Sequence, residues 1–365
     1  MTALSGGVFD TGTADDDSAE LRQLVDDIGR RSFDAKLGTR RMPEQFDADL
    51  WRNLEDTGLT RLTSTPDLEA GPGELATVLR GVARHAGAVP LAETDALAGW
   101  LAQRAGIDVP DGPLTVATAD AELAANRVTG TAIDVPWTRA AASVLLVARG
   151  RDAVRVGVLD VDGATVEESH NLAGEPRDRI TFDMAADELT AVDVATADEL
   201  ARRGAWCRCV QIIGALDAAA AMTVEHTRER VQFGRSLSKF QAVQHSLAGM
   251  AGEIERARAA ATLAVAAAID HGFDSAQTDY AVTVAKVAVG RAVGPVTTIA
   301  HQLHGAIGVT AEHSLWSATM RAQSWTRDYG TTAHHARRLG RMALTAAEPW
   351  DLMIGNIENI EKESS

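Results

Sequence analysis

The spacing of apolar residues changes twice along this 365-residue chain. A period that switches from helix to strand and back cannot be met by a plain bundle or a β-sandwich, so layers of both kinds are required. From about Asp15 to Ala105 the period is helical. In "FDADLWRNLEDTGLTRL" the residues Phe46, Leu50, Trp51, Leu54 and Leu59 fall near a spacing of three to four, with Asp47 or Asp49 placed to cap a helix and Gly58 to end it. "GELATVLRGVARHAG" repeats the pattern through Leu75, Val78, Leu79 and Val82 and stops at Gly87. Between about Gly112 and Ala195 the runs "RVTGTAIDVPW", "SVLLVA", "AVRVGVLD" and "RITFDM" are short, rich in Val and Ile and separated by turn residues, as in a small antiparallel sheet. After Asp198 the helical period returns. Phe240, Val243, Leu247, Met250 and Ile254 form the seam of a bundle helix, and a further long helix is expected over "TDYAVTVAKVAVGRAVGPVTTIAHQLHGAIG", with Pro295 placed to kink it. The expected fold is mainly α with a central β domain: an N-terminal helical domain over 1–110, an antiparallel β domain over 111–196, a C-terminal four-helix bundle over 197–348 and a frayed tail over 349–365.

With 51 acidic against 35 basic residues the net charge is -16, which argues against a nucleic-acid partner held through its phosphates. The opening residues carry acids where a signal peptide needs a basic start and an apolar run. No stretch reaches about 18 uninterrupted apolar residues, so a cytoplasmic chain without membrane insertion is expected. Cys207 and Cys209 sit two apart in a helical pattern and face different sides, which suits neither a disulfide nor a metal site and makes them buried bystanders.

Two strings carry chemistry. "ERVQFGRSLSKFQAVQ", Glu229 to Gln244, matches E-R-x-x-F-G-x-x-[LI]-x-x-F-Q almost letter for letter, and "HQLHGAIGVTAEHSLW", His301 to Trp316, follows Q-x-x-G-G-x-G. Together with the order of segments, they make nearly the whole chain resemble the acyl-CoA dehydrogenase family. The resemblance implies FAD shared at a subunit interface. Arg230 would lie at the pyrophosphate, Gln232 and Phe233 beside it, Leu237 and Phe240 along the adenosine, and Gln302, Gly305, Ala306 and Thr331 against the same cofactor, Ala306 replacing a usual glycine. A guanidinium suits that place because its rigid fork of donors matches phosphate oxygens. His301 and His304, three apart, could face one metal ion, but the flavin reading accounts for the glycines around them, and no metal site is expected.

The same register runs on into "RDYGTT", where the family has a glutamate that removes the α-proton of the acyl thioester. Here that position is Tyr329, between Asp328 and Gly330. A tyrosine, with an ordinary pKa of about 10, is a poor base at neutral pH. Some family members place the glutamate instead on the first helix of the C-terminal domain, and the matching position is Gly204, flanked by Arg202 and Arg203. The flavin-ring loop of the middle domain is also replaced, with only Trp137 and Thr138 resembling the strand that follows it. Three readings remain open. The first is the non-catalytic subunit of a heterotetrameric (α2β2) acyl-CoA dehydrogenase of the steroid side-chain type, paired with a homologous catalytic subunit, an acyl-CoA and an electron-transfer acceptor. The second is a complete homo-oligomeric enzyme with Asp328 or Glu199 as displaced base, and the third a binding or scaffold protein.

Overall fold

The computed structural model describes residues 16–353 apart from 39–41, 66–67, 125, 152, 311 and 347. Helices α1 (Asp16–Ala35), α2 (Ala48–Asp56) and α3 (Pro72–Arg84) lead through a π-helical stretch, Glu93–Gly99, into α4 (Trp100–Ala105). The Asp47 carboxylate accepts the Leu50 N–H at 3.0 Å and so satisfies one of the free donors at the start of α2. Leu50, Trp51 and Leu54 of α2 share one core with Leu75, Val78, Leu79 and Val82 of α3, the stripes their spacing requires.

The central sheet contains β1 (Leu114–Ala124), β2 (Arg127–Pro136), β3 (Ser143–Arg149), β4 (Val154–Leu159), β5 (Thr165–Glu167), β6 (Arg177–Ala185) and β7 (Thr190–Val192). Its order is β5-β6-β2-β1-β3-β4-β7. One expectation is corrected here: the sheet is mixed, because β1 and β3 run parallel from Leu114↔Ser143 to Asp120↔Arg149 while the other pairings are antiparallel. The reason is topological. β2 returns the chain to the end where β1 began, and the turn at 137–142 carries it past β1, with Ala142 N–H donating to Pro113 O at 2.6 Å, so β3 starts beside the start of β1.

The C-terminal half holds α5 (Ala195–Glu229), a small hairpin of β8 (Val231–Gln232) and β9 (Arg235–Ser236), then α6 (Gln241–His271), α7 (Ala276–His304), α8 (Leu315–Trp325), α9 (Thr332–Thr345) and α10 (Pro349–Met353). The expected tail beyond residue 353 lies outside the described residues. Pro295 lies within α7, which continues past it. The seam of α6 is buried from Met250 onward, but Val243 and Leu247 stay half-buried, leaving its first turns open to a neighbour. α5 and the stretch Ala276–Val309 are long and apolar enough to cross a membrane, yet 83% of the apolar window of α5 is buried inside the protein, as for a core helix. Cys207 and Cys209 are both buried and unpaired within it.

Candidate functional site

Asp328 and Tyr329 occupy the turn between α8 and α9. Lys286 of α7 donates to Asp328 O at 2.7 Å and to Thr326 O at 3.3 Å, closing the carbonyl end of α8. Tyr329 takes φ 54°, a left-handed value unusual for a bulky residue, and Gly330 takes φ 98°. The turn is held from the far side by His335, 3.0 Å from Tyr329 O through Nε2. Burial pushes the His335 imidazole down to about 4, so it is neutral and donates that bond.

The ring of Tyr329 lies on Gly204. A Cβ at Gly204 would sit 2.5 Å and 2.6 Å from Cε1 and Cδ1 of the tyrosine. The two positions where the resemblance allows a catalytic glutamate are therefore neighbours, and the side chain of one fills the space of the other. Burial also raises the Tyr329 hydroxyl above its usual range, which makes it a still poorer base than its residue type.

Neither substitute carboxylate is free. Asp328 is bonded to Arg208 at 2.8 Å and lies 3.3 Å from Arg177. Burial works against its charge, but the two guanidiniums outweigh it and hold the carboxyl below its usual range. Glu199 is tied to Arg203 at 2.8 Å, and that guanidinium is clamped between Trp100 and Phe273, 4.4 Å and 4.2 Å from the ring centres.

Around this turn runs a buried polar network that sequence reading missed. Arg208 reaches Glu93 at 2.5 Å, Gln211 at 2.6 Å and Asp328. Glu175 accepts from Trp325 Nε1 at 2.9 Å and Asn171 Nδ2 at 2.7 Å, and lies 3.4 Å from both Arg177 and Arg321. Arg321 also pairs with Glu44. The N-terminal helices, the sheet region and the C-terminal helices all contribute, and Trp137, 3% exposed, forms part of the wall. The cavity lined by Glu93, Trp137, Glu175, Arg177, Arg208 and Trp325 measures about 10 Å³, roughly the space of one water molecule. The signal available in the sequence was a charge inside an apolar run, as with Arg208 in "WCRCVQII" and Lys286 in "VAKVAVG".

The residues expected at the cofactor lie elsewhere. Arg230 caps the C-terminus of α5, its N–H donating to His226 O at 2.8 Å and its carbonyl accepting from Leu237 N–H at 2.9 Å. Phe233 (φ 52°) and Gly234 (φ 78°) form the tight turn of the hairpin that follows, the only two-residue geometry that matches strand twist with both residues left-handed. Phe233 is 90% exposed and Gln232 is exposed, while Leu237 and Phe240 are half-buried, with Arg235 stacked 4.2 Å over the Phe240 ring. Among the described residues the Arg230 guanidinium has no ion pair or side-chain hydrogen bond. Gln302, Gly305 and Ala306 are exposed at the end of α7, and nothing lies within 4 Å of a Cβ at Gly305.

The two segments meet through histidines: His226 stacks on His304 at 4.4 Å, and His313 meets His304 edge-on at 4.7 Å. His301 diverges from His304 to reach Thr319 Oγ1 at 2.9 Å. Thr331 is placed apart from this edge, at the base turn, where its hydroxyl caps α9 by accepting the His334 N–H at 3.2 Å. An exposed arginine on the edge that also carries the uncovered Gly305 and Ala306 fits the phosphates of a dinucleotide. The ion network on the Arg208 side of the base turn leaves only about 10 Å³, while on its other side Tyr329 borders a polar cleft of about 290 Å³ lined by Arg202, Asp279, His334, His335 and Arg338.

Residues 195–344 match the acyl-CoA dehydrogenase C-terminal domain. The chain is 28% identical over 344 residues to acyl-CoA dehydrogenase FadE27 of Mycobacterium tuberculosis, covering 82% of this chain and 89% of that protein. It is 27% identical over 187 residues to IpdE2 of Mycolicibacterium smegmatis, 50% of this chain and 57% of that relative's length. Among solved structures it resembles the ChsE4–ChsE5 complex of Mycobacterium tuberculosis, with a TM-score of 0.81 at 24% identity over 92% of this chain and 99% of that one. It also resembles the Tcur3481–Tcur3483 steroid ACAD, at 0.78 and 26% over 90% and 98%. Residues 195–344 thus form an acyl-CoA dehydrogenase C-terminal domain, and the chain as a whole has the acyl-CoA dehydrogenase fold.

Proposed function

We propose that this chain is the non-catalytic subunit of a cytoplasmic, heterotetrameric (α2β2) acyl-CoA dehydrogenase, and that it completes the FAD site of a homologous catalytic partner. The observation that carries this reading is the contrast between the chain's two candidate regions. At the base turn the carboxylate positions are filled or paired, with Tyr329 interlocked with Gly204 and Asp328 held between Arg177 and Arg208, and the cleft that borders Tyr329 is lined by Arg202, Asp279, His334 and Arg338 rather than by a free carboxylate. The edge at Arg230 is open, with a guanidinium that has no partner among the described residues and an exposed phenylalanine. A chain that catalysed alone would need a free carboxylate in the first region; a chain that serves a neighbour needs only the second.

In this reading Arg230 holds the diphosphate, Gln232 and Phe233 flank it, and Leu237 and Phe240 give the adenosine an apolar wall. Gly305 and Ala306 let backbone approach the same group. FAD, when bound, would accept the hydride leaving the β-carbon of the acyl thioester. The partner supplies the carboxylate, the acyl pocket and the contact with an electron-transfer acceptor. The steroid ACAD among the structural neighbours favours a steroid side-chain thioester as substrate.

Flavin content tests the proposal. The chain purified alone is expected to be colourless and inactive on acyl-CoA, and to gain stoichiometric flavin and turnover when co-purified with the homologous subunit. Stoichiometric yellow flavin with turnover in the isolated chain would overturn it in favour of a complete homo-oligomer.

A further inference from the structure

Three imidazoles meet where the two cofactor-facing segments leave the bundle. His226 stands in the last turn of α5, and its carbonyl accepts the Arg230 N–H. His304 is the last residue of α7 and runs directly into Gly305 and Ala306, and His313 comes from the loop beyond. The His226 and His304 rings are stacked at 4.4 Å and 20°, and His313 stands edge-on to both, at 4.7 Å and 6.5 Å. Face-to-face rings cannot converge on one metal ion.

His304 is 6% exposed. Its Nδ1 lies 2.8 Å from Ala300 O and so carries the proton, which leaves Nε2 as a lone pair with no donor within hydrogen-bond distance, and the Met222 backbone carbonyl also acts on the ring in the sense that favours its protonated form. A buried acceptor with no donor asks for a reason. Among the described residues the His226 ring makes no hydrogen bond either. The charged groups acting on the cluster are Arg230 and Glu229 of α5, His301 of α7 and the rings themselves. Glu312 is exposed beside His313, and Arg235 and Lys239 lie on the hairpin side. Burial first, and then the mutual repulsion of the rings, keeps His226 and His313 neutral at ordinary pH, and burial does the same for His304. A cluster that resists positive charge one helical turn from Arg230 is poised to change state when an anion arrives there.

We propose that His226, His304 and His313 form a proton-accepting support for the cofactor diphosphate, so that binding of this doubly negative group at Arg230 draws one proton from solvent into the ring stack. The proposal rests on the reading of Arg230 as the phosphate-holding residue. A second proton is opposed by the first across the stack, which limits uptake to one. The diphosphate diester does not itself titrate near neutrality, so any coupling reports on protein groups. Because the bound state holds the extra proton, affinity for FAD rises as pH falls, by up to about tenfold per pH unit.

The test is calorimetric titration of FAD into the flavin-free complex of this chain with its partner, between about pH 6 and 8.5, in two buffers of different ionisation enthalpy. The expected result is uptake approaching one proton and a sloping affinity profile. His304→Gln, which keeps a donor for Ala300 O, and His226→Phe, which keeps the stack, should each flatten the slope and abolish uptake. Wild-type binding without proton uptake, or variants that keep the wild-type slope, would overturn the proposal. Arg230→Ala separates the two levels. If it weakens FAD binding while the wild type takes up no proton, only the histidine inference fails; if it leaves FAD affinity unchanged, the phosphate reading itself fails.

Discussion

Replacing Gly204 by alanine should change sign in its effect on stability according to what stands at residue 329. In the wild-type background the new Cβ would meet the Tyr329 ring at 2.5–2.6 Å, where carbon atoms prefer about 3.5–4.0 Å. The ring must move by about 1 Å or more, against a backbone fixed by Lys286 and His335. Overpacking of this kind costs about 1–3 kcal/mol, partly offset by the gain of about 1 kcal/mol when alanine replaces glycine inside a helix. In a Tyr329→Ala background the clash is gone and only the helix term remains, so the same substitution should stabilise by about 1 kcal/mol. The coupling in the double-mutant cycle is then about 1–3 kcal/mol. Thermal melts of the four proteins under one scan rate, with folding checked by circular dichroism, give the sign directly. Equal shifts in both backgrounds would refute the interlock, and with it the claim that both carboxylate positions are closed. Gly204→Glu, which is larger and charged, should destabilise further and confer no dehydrogenase activity.

Arg230→Ala removes a charge-assisted contact worth about 1.5–3 kcal/mol, so FAD titration of the complex should show a loss of roughly one to two orders of magnitude in affinity, while Tyr329→Glu should leave turnover of the complex nearly unchanged. Arg208→Met strands Glu93 in the interior and leaves Asp328 with Arg177 alone, and should cost about 3–5 kcal/mol, read as a large fall in melting temperature. Asp328 has its carboxyl held below the usual value, so its contribution is present above the unfolded value of about 3.9 and lost as pH falls through the folded one. Acid melts below about pH 4 should therefore be steeper for the wild type than for Asp328→Asn. Phe233→Ser, at a residue 90% exposed, should leave the melting of the isolated chain unchanged and weaken co-purification with the partner.

The helices were legible because burial imposes a period on them, and the Asp47 cap because its chemistry is local. β1 was not read as a strand: "LTVATADAELA" offers alanine, threonine and acids where β-branched alternation is the usual sign, and its partners on either side complete it only in three dimensions. For the same reason the parallel pairing with β3 escaped notice. In the site, the Arg230 string could be read because many fixed letters fall in one stretch. The base turn was read in register, but the contact between Gly204 and Tyr329 joins residues far apart in sequence, and no local pattern records it. The buried ion network was hidden because an isolated charge ordinarily signals solvent. Likewise, His226 and His313 join His304 only through the docking of α5, α7 and the loop after α7.

One helix, α5, carries Gly204 near its start and ends against Arg230. At 1.5 Å per residue the 26 positions between them span about 39 Å of unbroken rod. Substitutions separated by more than about 7–10 Å, with no shared partners, act independently. On the proposed reading, changes at the carboxylate positions near Gly204 would leave the hold of Arg230 on a partner's cofactor undisturbed. The same spacing makes the chain a practical engineering substrate: the closed end can be redesigned for rigidity and scored by melting temperature, while the open end is tuned for cofactor retention, with neither screen confounding the other.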